Sequence, residues 1–296
     1  MMHGPGWLSI VIVLKKNACF QLCAAYFAPH QAVMPASMPE PNFFIIGAAK
    51  AATTALSSLL EQHPEAAIVQ YKEPHFFSYD HVYALGWERY LGLYNHCRDQ
   101  KAIGDASTSY SRIRYHPKVI DRIKQHAPDA KIIYMVRHPI KRMESAYVEH
   151  MATSIGQVYA SINDAVKRQS MIIDSSRYWE VFDAYRRKFD EAKIKIVWFE
   201  EYISDTNAVF QDVCRFLEIN EKIVPNLDEA RTNNRENATD RMARLGRGNV
   251  DVDQSWDDET RRWVVGQLGE DSRKFLEYFH RPADYWGELF PGAGRP

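Results

Sequence analysis

The sequence predicts an α/β fold: a single domain with a central parallel sheet flanked by helices. Three observations carry that prediction. Short apolar runs alternate with segments of helical period along most of the chain, the pattern of βαβ units. The first unit, Phe43-Phe44-Ile45-Ile46-Gly47-Ala48-Ala49-Lys50-Ala51-Ala52-Thr53-Thr54-Ala55-Leu56, joins four apolar residues to a helix through a run of small residues. The clearest strand, Lys131-Ile132-Ile133-Tyr134-Met135-Val136, runs directly into Arg137-His138-Pro139, and a proline suits the first turn of a helix because its missing N–H has no partner there.

The elements follow in order. Asn42–Ile46 reads as a buried strand, and Leu56, Leu59 and Leu60 recur at helical spacing over 54–62 until Pro64 forbids continuation. Ala66-Ala67-Ile68-Val69 is the second strand. Beyond its end comes Tyr71-Lys72-Glu73-Pro74-His75-Phe76-Phe77, rich in titratable groups where open α/β sheets collect ligands. Gly86–Leu91 reads as helix, Ala102–Ser107 as a third strand and its end, and Pro117–His126 as helix. Ile140, Met143, Tyr147 and Met151 give the helix after Pro139 an apolar stripe. Helical patterns recur at 161–170 and 177–189, the second with Tyr178, Phe182, Tyr185 and Phe189 as a core-facing stripe. A strand over Lys193–Phe199 and a helix over Thr206–Leu217 come next. Residues 225–256, with Arg231, Arg235, Arg241, Arg244 and Arg247, read as a long mobile loop before a last helix from Asp257 to Phe279.

Composition narrows the function classes. The chain of 296 residues is 46% hydrophobic and 12% aromatic, enough for a real core. Its 37 Lys+Arg balance 38 Asp+Glu, which argues against a nucleic-acid binder held by bulk charge. Cys19, Cys23, Cys97 and Cys214 match neither a zinc site nor a disulfide framework and read as free thiols, with no metal site. Residues 1–41 read as a leader loosely attached to a domain over 42–290, with a short tail at 291–296 and Met34 or Met38 as alternative starts. Lys15-Lys16 cuts the apolar run Trp7–Leu14 short of the ~20 residues of a spanning helix. The lysines also follow that run, where a secretory signal carries its charge before it. Cytoplasm is therefore the expected location, without stable membrane insertion; a degenerate anchor in the leader would instead imply the Golgi or a membrane. Asn237-Ala238-Thr239 fits a glycosylation acceptor, which has meaning only on a secretory route. Oligomeric state is left open.

Two constellations carry chemistry. A strand, small-residue turn and helix aims backbone N–H groups and a helix N-terminus at an anion, so Ala51 and Ala52 let the loop wrap a phosphate while Lys50, Thr53 and Thr54 add a charge and hydroxyls. A nucleoside triphosphate P-loop has its lysine directly before the hydroxyl residue that holds magnesium. Here Ala51-Ala52 separate Lys50 from Thr53, which fits a magnesium-dependent site badly. The second constellation is Arg137 at a strand end with Ser145 eight residues later, a guanidinium fork and a hydroxyl suited to another phosphate.

Together these features, about ninety residues apart in an α/β pattern, resemble the sulfotransferases that use 3′-phosphoadenosine 5′-phosphosulfate (PAPS). The resemblance covers about residues 42–290. It is closest to the heparan-sulfate glucosaminyl branch and its bacterial relatives, through Lys72-Glu73-Pro74-His75-Phe76-Phe77, Leu85-Gly86-Trp87 and Leu276-Glu277-Tyr278-Phe279. It implies that Lys50, Ala51, Ala52, Thr53 and Thr54 bind the 5′-phosphosulfate, and Arg137 and Ser145 the 3′-phosphate. Glu73 is then the general base and Lys50 stabilises the leaving phosphate, with adenosine 3′,5′-bisphosphate (PAP) as product and no metal required. Lys72, His75, Asp105 and Ser107 become candidate contacts for a carbohydrate or small-metabolite acceptor.

The chain departs from the family pattern in three places. Ala52 stands where glycine is usual. The strand-end motif Gly104-Asp105-Ala106-Ser107-Thr108 lacks the lysine of the glucosaminyl enzymes, and residues 104–109 lack the histidine of the aryl and steroid branch. The competing expectations are a P-loop-type nucleotide or small-molecule kinase and a non-catalytic nucleotide-binding protein on the same fold.

Overall fold

In the computed structural model, residues 38–153, 159–228 and 252–287 are described. The five residues of β1, Phe43–Gly47, are all buried, which is the signature of a strand covered on both faces. It forms the centre of a five-stranded sheet of order β2-β3-β1-β4-β5, with β2 at Ala66–Ile68, β3 at Ala102–Asp105, β4 at Lys131–Val136 and β5 at Ile194–Trp198. Every pairing is parallel. Phe43 lies opposite Gly104, and a side chain at Gly104 would run into the Phe43 ring; the glycine is what lets that aromatic sit across the strand pair.

Helices α1 (Thr53–Glu61), α2 (Asp80–Tyr83), α3 (Trp87–Leu91) and α4 (Val119–His126) connect the first four strands. Between β4 and β5 run α5 (Pro139–Thr153), α6 (Ile162–Arg168), α7 (Ser170–Asp174) and α8 (Tyr178–Arg186). After β5 come α9 (Phe199–Ser204), α10 (Thr206–Leu217) and α11 (Asp258–Tyr278). The predicted stripe Ile140, Met143, Tyr147 and Met151 is buried, as are Tyr178, Phe182, Tyr185 and Phe189. Phe182 and Tyr178 pack on Phe275 of α11, so the last helix closes the core through aromatic contacts.

The strand order positions the site. The chain moves from β1 to β2 and returns to β3 on one side of β1, then crosses to β4 on the other. Ligands in such sheets gather where the order reverses, beyond the carboxyl ends. The loops leaving β1 and β4 are therefore neighbours, and the loops leaving β2 and β3 stand beside them.

The expected elements recur with small shifts, and two differ in kind. The expected fifth strand stops at Trp198, because Phe199–Ser204 turns at once into α9. Helices α2 and α7 occupy stretches with no prediction of their own or at the edge of a longer one. Cys97 and Cys214 are buried free thiols, and burial pushes Cys214 up to about 12. Among the described residues no helix is long and apolar enough to cross a membrane. The leader up to residue 37, Cys19, Cys23, the loop arginines 231–247, Asn237 and the tail lie outside the described residues.

Candidate active site

The turn after β1 begins with Gly47 at φ 144, a conformation glycine supplies, and a side chain there would collide with Ser111 Oγ. Lys50 (φ 72) and Ala52 (φ 67) are also left-handed, at a cost of about 1–2 kcal/mol for each residue that carries a Cβ. Strain of this kind persists where the surroundings over-determine the backbone. Helix α1 starts with no side-chain cap, since its N-cap residue is Ala52, and with no acidic residue in its first turn. The free N–H groups and positive end of the helix dipole are thus left for an external anion. Lys50 Nζ is held 3.1 Å from Glu149 Oε2 of α5, both side chains about one-third exposed.

Arg137 leaves β4 beside this turn, and its Nη1 donates to the Lys50 carbonyl at 3.0 Å. Its guanidinium lies 4.3 Å over the Phe199 ring, and Tyr178 Oη donates to the Arg137 carbonyl at 2.7 Å. The two constellations are in direct contact. Arg142, one turn into α5, is buried and lies along the same wall: Nε donates to Ser176 Oγ at 2.6 Å, Nη2 to the Ile172 carbonyl and Nη1 to the Ala49 carbonyl at 3.5 Å. Burial pushes both arginines below the ordinary guanidinium range, and an arginine so shifted still carries its charge at neutral pH.

A cavity of about 510 Å³ opens between these groups. Of the sequence-predicted residues, Lys50, Ala52, Thr53, Thr54, Lys72, Glu73 and Arg137 line it. Ala51 is buried behind the turn, where its small side chain lets the loop close. Ser145 is half-buried on α5 but is not part of the cavity wall, which that helix forms with Arg142, Ala146, Glu149, His150 and Thr153. Arg137 and Arg142 both line the cavity, and Ser145 stands beside Ala146 on the same helix without being part of the wall.

The opposite wall is the stretch beyond β2. Glu73 (φ 55) and His75 (φ 56) flank Pro74 in left-handed conformations, a second island of backbone strain. Thr108 Oγ1 donates to Glu73 Oε2 at 3.1 Å, which fixes the carboxylate toward the cavity. His75 does not reach the wall. Its Nδ1 meets Ser109 Oγ at 2.7 Å and its Nε2 stands 3.6 Å from Glu73 Oε2. Burial, with help from Arg112 and His116, pushes His75 down to about 4, so it is neutral at pH 7.

Asp105 and Ser107 require correction as acceptor contacts, because both are completely buried. Asp105 accepts from Tyr110 Oη at 2.6 Å, Tyr90 Oη at 2.8 Å and Ser107 Oγ at 2.7 Å. Burial nevertheless pushes it up to about 6. It is a hub beneath the site: Tyr90 stacks on Phe76 with centroids 4.4 Å apart, and the backbone N–H of His75 donates to Ser107 Oγ at 3.3 Å. Sequence reasoning missed Arg142, Glu149, Thr108 and Arg112 on the wall. The spacing of Arg142, Ala146, Glu149 and Thr153 was the available signal, since it repeats at three to four residues along one face of α5.

The sulfotransferase family profile matches residues 41–222, well over half of the chain and all of the cavity wall. The chain belongs to the sulfotransferase family. Among relatives of this sulfotransferase, human heparan sulfate glucosamine 3-O-sulfotransferase 6 is 33% identical over 116 residues, 39% of this chain and 32% of the relative. The membrane-associated sulfotransferase kil1 of Dictyostelium discoideum is 32% identical over 108 residues, 36% of this chain and 22% of the relative. The matches therefore span a third or less of those two proteins. A sulfotransferase from Alicyclobacillus acidocaldarius superposes with a TM-score of 0.67 at 24% identity, covering 84% of this chain and 99% of the other, and so shares the fold. Membership sets aside the kinase alternative.

Proposed function

We propose that this sulfotransferase moves the sulfuryl group of PAPS to a hydroxyl or amine of a carbohydrate or small-metabolite acceptor. The observation that carries the reading is the 3.0 Å bond from Arg137 to the Lys50 carbonyl, which joins a strand-end guanidinium to a turn built for phosphate. A donor with phosphates at both ends matches that pairing: the turn and the N-terminus of α1 suit the 5′-phosphosulfate, and Arg137 the 3′-phosphate. Arg142 reinforces the positive field from behind, and Ser145 joins Arg137 only if α5 presents it when the donor is bound.

Glu73 is the general base. Its carboxylate faces the cavity, held by Thr108, and takes the acceptor proton as the acceptor attacks sulfur. As the new bond to sulfur forms, the bond from sulfur to the 5′-phosphate oxygen breaks, and PAP leaves. Lys50 exchanges Glu149 for that oxygen and stabilises its growing charge. Neutral His75 braces the stretch rather than sharing the proton. The strain at Glu73 supports the same role, since outliers of this kind cluster where a side chain must be aimed.

PAP binding followed by calorimetry tests the donor half. Arg137→Ala is expected to weaken PAP about 10- to 100-fold, as loss of a charged phosphate contact does. Unchanged affinity would remove the basis of the assignment.

A further inference from the structure

Arg112 is unlike every other arginine near the cavity. It ends the turn Thr108–Ser111, lines the cavity, and is half-buried, yet its Nε has no accessible surface and no hydrogen-bond partner among the described residues. Arg114, two residues on, is clamped by Glu180 through three hydrogen bonds of 2.7–3.0 Å. Arg122 pairs with Asp80, and Arg142 is satisfied by Ser176 and backbone carbonyls. Burial, and after it the charge of Arg112, holds His75, His116 and Arg142 below their ordinary values. A buried guanidinium N–H without an acceptor is costly, and no carboxylate stands within ion-pair distance of this arginine among the described residues, so its half-buried side chain brings an unbalanced charge to the cavity.

An anion that balances this charge meets Arg112 where its half-buried side chain lines the cavity, on the side of the turn after β3. The donor-type features, namely the N-terminus of α1, Lys50, Arg137 and Arg142, are all at the β1 and β4 end. Arg112 follows Thr108 by four residues, and Thr108 holds Glu73. We propose that Arg112 binds an anionic group of the acceptor, a carboxylate, sulfate or phosphate, and so selects acceptors that carry one close to the oxygen or nitrogen presented to Glu73. This rests on the sulfuryl-transfer reading above and names the acceptor chemistry within it.

The test uses the full chain saturated with PAP, titrated with inorganic phosphate and followed by thermal shift. Wild type is expected to gain stability from phosphate, and Arg112→Gln to bind it about tenfold more weakly, with Arg112→Lys intermediate. The PAP affinity of each variant reports that it is folded. Equal phosphate responses in wild type and Arg112→Gln, or none in wild type, would overturn the proposal. Failure of the donor reading looks different: neither protein responds to PAP, while phosphate alone still separates the two proteins. A matched series then names the anion. It comprises para-nitrophenyl β-glucoside, its glucuronide, and its sulfate and phosphate esters at the primary hydroxyl, each with labelled PAPS. At least one acidic member is expected to exceed the glucoside about tenfold in kcat/KM, and Arg112→Gln to lose that preference. A wild type that accepts no acidic member, or treats all four alike, overturns the proposal.

Discussion

At the β1–β4 end of the cavity each cation has a protein partner, whereas at the β2–β3 end Arg112 has none among the described residues. Lys50 leans on Glu149, Arg137 on the Lys50 carbonyl and the Phe199 ring, and Arg142 on Ser176. That end is preorganised: the side chains of Lys50, Arg137 and Arg142 and the uncapped start of α1 are in place before any ligand arrives. The other end is organised from beneath, by the buried Asp105 hub that carries the stretch with Glu73. Of its cavity-lining groups, Glu73 is held by Thr108, while Arg112 Nε has no partner among the described residues. On the reaction proposed above, the β1–β4 end would grip the donor and the Glu73 side would meet the acceptor.

The largest expected effect breaks that division if it fails. Glu73→Gln keeps shape and the Thr108 contact but cannot take a proton. Turnover should fall about 10²- to 10⁴-fold while PAP affinity stays within a factor of about two. Steady-state kinetics beside PAP calorimetry would separate the two halves. A loss of PAP affinity would mean that the ends are not independent.

Much of the β1–β4 end was legible in the sequence. Apolar residues, a run of small ones and leucines at helical spacing announce the strand, turn and helix of β1 and α1 locally, and Lys131–Val136 was read to the residue. Direction of side chains was less accessible. Ser145 and Ala146 are adjacent in sequence but about 100° apart around α5, so spacing alone did not say which one the cavity sees. Asp105 was misread because a carboxylate at a strand end is as suitable for a ligand as for buried tyrosine hydroxyls. Those hydroxyls, Tyr90 and Tyr110, lie 15 and 5 residues away. The left-handed backbone at Glu73 has no local signature, since glutamate does not favour it and only His75 is of a type enriched at positive φ.

The next expectation sharpens the picture of the Asp105 hub through pH. Asp105 is raised from 3.8 to about 6, so the folded state binds its proton more tightly and the group's contribution to stability falls as pH rises through that window. His75 is lowered from 6.5 to about 4, so the unfolded state binds its proton more tightly and its contribution grows with pH. The two slopes oppose each other between about 4 and 6, each up to about 1.4 kcal/mol per pH unit. Asp105→Asn should therefore gain stability between pH 4.5 and 6.5 relative to wild type, and His75→Gln should lose it. Urea midpoints at both pH values check the signs. Parallel behaviour of the two variants would show that the hub does not carry the balance.

A smaller effect tests whether the donor grip is preset by an internal anion. Glu149 occupies Lys50 in this geometry, so a phosphate must displace it. A part-exposed ion pair of this kind is worth about 0.5–1 kcal/mol. Glu149→Gln is expected to tighten PAP by about two- to fivefold, read by calorimetry at low salt. Weaker binding would instead give Glu149 the task of holding Lys50 in its working position.

The smallest expected effect concerns Ala52. Its φ of 67 and ψ of 21 sit in the left-handed region, where the methyl group costs about 1–2 kcal/mol and glycine pays nothing in sterics. Glycine also loosens the unfolded chain, which takes back about 0.4–1 kcal/mol. Ala52→Gly should therefore stabilise the protein by about 0.5–1 kcal/mol while leaving PAP affinity nearly unchanged. If the substitution instead weakened PAP, the methyl group would be holding the turn open for phosphate, and the strain at this position would belong to binding rather than being a cost the fold tolerates.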